Sequence, residues 1–205
     1  MKLGFIGTGN ISSDVITGIC NSKIAFKRIL VSPRNKQKAQ KLKKKFKRVN
    51  IAKSNQEVID KSDWIFLGVL PEVGEKILPK LNFKTNQTIV SFISTINYAQ
   101  LKKIVKKKAT IVRAIPMPPI SLGKGPVPIF PPNKKVKNFF NKIGTTIEIR
   151  SEKLSKNFWA ISGSMAAFYE LLKILSDWLV KKNLKRDQSQ KYITSLYSAL
   201  AELAA

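Results

Sequence analysis

The sequence predicts an α/β protein, with a doubly wound, mostly parallel sheet followed by an all-α C-terminal segment. Three observations carry that reading. Strand-like and helix-like stretches alternate from Met1 to about Arg150, the pattern of a parallel sheet with helices on both faces. Trp64-Ile65-Phe66-Leu67-Gly68-Val69 is a continuous apolar run, as a central strand buried on both faces requires. From Lys153 onward there is no proline, and Gly163 is the only glycine, so long helices can run there unbroken. Residues 1–150 are expected to form the sheet domain and residues 151–205 the helical segment.

Leu3, Phe5 and Ile6 read as the first strand, which runs straight into Gly7-Thr8-Gly9. Ile11, Val15, Ile16 and Ile19 then recur at helical spacing. Ile29-Leu30-Val31 is a second strand, ending at Ser32-Pro33-Arg34-Asn35, and a helix follows from Lys36 to Phe46. Val49–Ala52 reads as a short strand and Asn55–Lys61 as a short helix. Leu70-Pro71 stops the central strand, and a helix is expected from Glu72 to Ile77. Thr88–Ile93, the helix Tyr98–Lys106 and Thr110–Ala114 continue the alternation. Seven prolines then crowd residues 116–132. Proline lacks an N–H donor and fixes φ, so this stretch is expected to be ordered loop with at most short edge strands, best at Val127–Phe130. Val136–Ile143 reads as a helix and Thr146–Ile149 as the last strand. Two long helices, Phe158–Lys181 and Asp187–Ala204, close the chain.

With 205 residues, the chain can bury one full α/β core and a smaller annex. Its single cysteine, Cys20, excludes a disulfide within the chain and reads as a small buried hydrophobe. There is no histidine, which excludes a His general base and, with one cysteine, disfavours zinc or any other metal site. No apolar run approaches the roughly 20 residues of a bilayer span, and the strand-like N-terminus lacks a signal-peptide pattern. A cytoplasmic protein without a membrane partner is expected. The formal net charge is +26. Its densest runs, Lys41–Lys47 and Lys102–Lys108, fall in amphipathic helices whose lysines face water, with Phe46 their single aromatic. A solvated basic surface is therefore expected rather than a nucleic-acid interface, although its field would draw in anionic ligands.

A strand, a tight Gly-x-Gly turn and a helix together make the geometry that binds a dinucleotide pyrophosphate, as in a Rossmann-type domain. Gly7 permits the turn, Gly9 lets backbone approach phosphate, and the helix N-terminus faces the anion. Ser12 stands where the fingerprint has its third glycine and is small enough for helix to pack on strand. After the second strand the chain offers Ser32 and Arg34 with no carboxylate. Hydroxyl and guanidinium can hold a 2′-phosphate that a carboxylate would repel, so the expected cofactor is NADP(H).

At these residues the chain resembles the pyrroline-5-carboxylate reductases. Gly4-Phe5-Ile6-Gly7-Thr8-Gly9-Asn10-Ile11 is similar to that family's opening signature, and Gly68-Val69-Leu70-Pro71 to its Ala-Val-Lys-Pro run, with Leu70 in place of Lys. Arg113-Ala114-Ile115-Pro116-Met117-Pro118-Pro119 resembles its Arg-Ala-Met-Pro-Asn-Thr-Pro loop. Ser162-Gly163-Ser164-Met165-Ala166-Ala167-Phe168 resembles the segment that opens its dimerising helices. The resemblance implies cofactor contacts at Ile6, Gly7, Thr8, Gly9, Asn10 and Ile11, at Ser32, Asn55, Gly68, Val69, Leu70 and Pro71, and at Phe92, Ile93 and Ser94. It also implies a cyclic imine substrate, reduction of 1-pyrroline-5-carboxylate to proline, and a homodimer or higher homo-oligomer built through the C-terminal helices. Ser164 is the candidate substrate or cofactor contact, or else a helix cap; no side chain is named as catalytic acid. Met117, Pro118, Met165, Ala166 and Thr95 depart from the family pattern. Its C-terminal Ser-Pro-Gly-Gly-Thr-Thr segment has no counterpart, so the chain is expected to be a C-terminally shortened member. Two alternatives stay open. One is a β-hydroxyacid-dehydrogenase type of oxidoreductase using Lys173, a residue otherwise read as a snorkelling surface lysine; the other is a non-catalytic NADP-binding protein.

Overall fold

The structure is a computed structural model that describes residues 1–106 and 108–204; Lys107, in the second basic run, and Ala205 lie outside the described residues. Eight strands form one sheet: β1 (Lys2–Ile6), β2 (Arg28–Val31), β3 (Val49–Ile51), β4 (Trp64–Leu67), β5 (Thr88–Ser91), β6 (Thr110–Ala114), β7 (Pro126–Phe130) and β8 (Thr145–Glu148). Their order is β3-β2-β1-β4-β5-β6-β7-β8. All neighbours are parallel except β6 and β7. The chain starts in the middle and winds first to one side, then to the other. The reversal falls between β1 and β4, and ligands of such sheets bind at the strand ends there.

The helices of this part are α1 (Asn10–Asn21), α2 (Lys36–Lys45), α3 (Asn55–Asp60), α4 (Pro71–Ile77), α5 (Tyr98–Val105) and α6 (Lys134–Phe140). They cover the sheet on two faces. One apolar cluster joins Leu3, Phe5, Val31 and Phe66 to Val15, Ile16 and Ile19 of α1, Ala39 and Leu42 of α2, and Phe139 and Phe140 of α6. The other joins Ile6, Ile65, Leu67 and Ile89 to Val58 and Ile59 of α3 and Leu101 and Val105 of α5. Every residue of β4 and β5 is buried, which is why β4 reads as an unbroken apolar run. Phe66 stacks on Phe5 with ring centroids 4.5 Å apart and also meets Phe92 at 5.8 Å and Phe139 at 5.6 Å. These contacts lock β1, β4 and the end of β5 together.

Local chemistry explains the element boundaries. Ser54, Asn97 and Asn133 accept N–H bonds at the starts of α3, α5 and α6. Asn97 and Gln100 complete a reciprocal capping box. The Asn133 cap starts α6 two residues before the apolar pattern suggests. Pro71 occupies the first turn of α4, where its missing donor costs nothing.

Two expectations about the prolines and the last helices need correction. β7 is not an edge strand: it lies between β6 and β8 although it holds Pro126 and Pro128. The carbonyls of Gly125 and Ile129 accept from Thr145 N, at the start of β8, and from Ile149 N, just past its end, while Pro128 O accepts from Ile115 N on the other side. The prolines' missing donors thus face β6, where the ladder spans only Arg113–Phe130 and Ala114–Ile129. The expected helix Phe158–Lys181 is two helices, α7 (Ser155–Ser162) and α8 (Met165–Lys181). At the break Gly163 N and Ser164 N bond carbonyls three residues back, and the Ser162 and Ser164 hydroxyls donate to Phe158 O and Ile161 O. These bonds tighten the turn and end α7.

The chain divides into two compact units, Met1–Ser155 and Lys156–Ala205. In the second, α8 packs on α9 (Arg186–Leu203). The small residues Ser176 and Ser189 are buried there with their hydroxyls 2.8 Å apart. Within Glu152–Lys181 an 18-residue window reaches a mean hydropathy of 1.2, enough to cross a membrane by length and composition alone, but the stretch is divided between α7 and α8. Glu170, Lys173 and Asp177 line up as ion-paired neighbours along α8, so the helix is amphipathic rather than apolar all round.

Candidate cofactor cleft

A cleft of about 1240 Å³ opens at the carboxyl ends of the strands, above the β1–β4 junction. Its floor is the Gly7-Thr8-Gly9 turn. Gly7 has a φ of 100°, and a Cβ there would lie 2.4 Å from Gly68 O, so both conformation and space demand glycine. A Cβ on Gly9 would meet only Gly68 O, at 3.7 Å; that position faces open cleft, and a ligand can come close to bare backbone. Ser32 closes the turn from β2, its buried Oγ accepting from Gly7 N at 2.9 Å. α1 begins at Asn10 with no side chain capping its first N–H groups. The Thr8 Oγ1 and Ser12 Oγ atoms are buried without a partner among the described residues. An uncapped helix N-terminus, a bare glycine and an unpartnered hydroxyl at its foot fit a bound pyrophosphate.

The wall beyond β2 is basic. Arg34, Lys36 and Lys38 line the cleft, with Asn35, whose side chain caps α2 through Lys38 N. Lys38 reaches across to donate to Asn10 Oδ1. Burial raises the Asp14 carboxyl above its usual range, while Lys38 pulls it down. Asn55 lines the cleft from the start of α3.

Of the residues expected at the cofactor, Gly7, Thr8, Gly9, Asn10, Ile11, Ser32, Arg34, Asn55, Gly68, Val69, Leu70 and Phe92 line this cleft together. Ile6, Pro71, Ile93 and Ser94 do not. Ile6 and Ile93 point into the core, at 0% and 2% exposure. Ser94 O is turned to Arg113 at 2.7 Å. Leu70 is 72% exposed at the rim. Ser164 belongs to the second unit; its hydroxyl donates to Ile161 O and caps no N–H group. Lys38 was not among the expected residues, nor were Glu72, Val73, Lys76 and Ile77 of α4, which form the opposite wall. Their signal was available, since α4 begins directly after a strand that ends at the cleft. Among the described residues no cluster of His, Cys, Asp and Glu could hold a metal.

Residues 2–98 match a family model described as NADP oxidoreductase, coenzyme F420-dependent. The chain is 26% identical over 213 residues to the pyrroline-5-carboxylate reductase of Escherichia coli (strain K12), covering 98% of this chain and 78% of that protein. It is 27% identical over 213 residues to the enzyme of the same name from Synechocystis sp., covering 99% and 79%. Its fold superposes with a TM-score of 0.83 on the crystal structure of Plasmodium falciparum pyrroline carboxylate reductase with NADP bound, at 26% identity, covering 99% of this chain and 78% of that one.

Proposed function

We propose, from the premise that this chain is a relative of the pyrroline-5-carboxylate reductases, that it is an NADP-dependent oxidoreductase acting on a C=N bond. Its substrate is the cyclic imine 1-pyrroline-5-carboxylate and its product L-proline, which places it in amino-acid biosynthesis in the cytoplasm. The observation that carries the reading furthest is the joining of an uncapped α1 and the Gly7–Gly9 turn to a basic, carboxylate-free β2–α2 turn in one cleft.

The bound cofactor supplies the hydride. Gly7, Thr8, Gly9 and the first turn of α1 hold its pyrophosphate. Arg34, with Lys36 and Lys38, holds the 2′-phosphate that separates NADPH from NADH. Gly68, Val69 and Phe92 floor the cleft toward β4 and β5. An imine is basic enough to take its proton from solvent, so holding it against the cofactor supplies most of the catalysis. That chemistry suits a chain with no histidine. Lys173, the acid/base of the alternative hydroxyacid reading, is exposed and lies 3.4 Å from Glu170 and 3.8 Å from Asp177, in the setting of a surface lysine. The helical unit joins two copies: Phe168, Tyr169, Ile174 and Trp178 of α8 are 43–57% exposed, more aromatic surface than one helix leaves in water without a partner.

The test is NADPH oxidation by the purified chain with racemic 1-pyrroline-5-carboxylate, repeated with NADH. Turnover that favours NADPH supports the reaction and the cofactor assignment. Tight NADPH binding without turnover of any imine removes the reductase reading and leaves a nucleotide-binding protein.

A further inference from the structure

Arg113 lies in β6, beside β5, and only 7% of it is exposed. A buried guanidinium is strongly destabilising unless its charge and donors are met. Its two terminal nitrogens donate to three acceptors, Ile93 O at 3.3 Å, Ser94 O at 2.7 Å and the carboxylate of Glu152, while its Nε is buried without a partner among the described residues. Ile93 and Ser94 directly follow Phe92, which lines the cleft. The same carboxylate oxygen, Glu152 Oε1, accepts from Tyr98 N at 2.8 Å, at the first residue of α5. Both ends of the turn 92–97 are thus tied to one ion pair, with Ile93 and Ser94 carbonyls drawn to Arg113.

We propose that Arg113 is a positioning residue for the cofactor cleft, setting the Phe92–Asn97 turn through the carbonyls of Ile93 and Ser94, and that Glu152 holds it in that role. The inference rests on the reading of the cleft as an NADP(H) site. Arg113 touches neither cofactor nor substrate in this role; it acts through Phe92. The turn it sets lies on the β5 side of the strand reversal, whereas Arg34 and Lys38 lie on the β2 side. A dinucleotide spans that reversal, so Arg113 acts on one half of the ligand. Lysine cannot replace it fully, because one ammonium cannot offer a planar fork to two carbonyls and a carboxylate.

The experiment compares two probes, NADPH and adenosine 2′,5′-bisphosphate, which carries only the 2′-phosphorylated half of the cofactor. Dissociation constants and melting temperatures are measured for the full chain and for Arg113→Met, Arg113→Lys and Glu152→Gln. Loss of charge-assisted bonds that act on one half predicts a rise of about tenfold in the NADPH constant for Arg113→Met, and a bisphosphate constant within about twofold of wild type. Arg113→Lys is expected to restore part of the NADPH affinity. Glu152→Gln shifts it in the same direction by less, and carries the comparison if Arg113→Met does not fold. Equal weakening of both probes makes Arg113 a purely structural residue and overturns the proposal, as does an NADPH constant unchanged in every variant. Wild type that binds neither probe instead sinks the cofactor reading itself, and the proposal with it.

Discussion

Ser32 and Arg34 stand two residues apart on the same turn, and their side chains have different tasks. The Ser32 hydroxyl is buried and accepts the Gly7 amide, so it shapes the floor of the cleft. Arg34 is exposed in the basic wall, where the proposed function gives it the 2′-phosphate. Arg34→Ala is expected to weaken NADPH by about tenfold and NADH by less than about twofold. Ser32→Ala should weaken both alike, and titration of the two cofactors by fluorescence checks the pair. Cys20 is a further residue-scale case. Burial pushes its thiol up to about 11 against the opposing pull of Arg48 and Lys45. A raised thiol pKa keeps the neutral form in the folded chain, so at pH 8 the thiolate is about a hundredfold scarcer than in the unfolded chain. Native alkylation by iodoacetamide should be slower than in denaturant by a comparable factor.

Among the elements, α1 has two functions, one at its N-terminus and one along its flank. Its N-terminus faces the cleft, and its flank packs against the 3-10 turn Pro118–Leu122 that follows β6. A Cβ on Gly18 would lie 2.3 Å from Ile120 O, a backbone atom that no rotamer can move away. Gly18→Ala is therefore expected to cost about 1–3 kcal/mol through overpacking, read as a lowered denaturation midpoint. The turn it displaces begins at Met117 and Pro118, where the chain departs from the reductase pattern, so a lost melting temperature should come with a changed imine KM.

For the whole molecule, the aromatic face of α8 and the net charge of +26 set how copies and ligands meet. If the helical unit joins two copies, Trp178→Glu places a charge on a face that must lose its water and should yield monomers by light scattering. The NADPH constant, set in the first unit, should stay within about twofold of wild type, because Trp178 is not among the residues that line the cleft.

The sequence by itself determined the alternation of strands and helices, the buried β4, the glycine turn and the charge beside β2. Each is written in neighbouring residues, as a period of two or of about 3.6, a Gly-x-Gly or a missing carboxylate. Tertiary structure alone decided the rest. The interior place of β7 depends on which side its prolines present to β6, and the break at Gly163 depends on hydroxyls that turn back on α7. α4 and Lys38 became walls of the cleft only when the sheet brought their turns together. Arg113 found Glu152 39 residues away, a pairing no local pattern encodes, because burial of a charge fixes only that it must have a partner, and the packed chain fixes which.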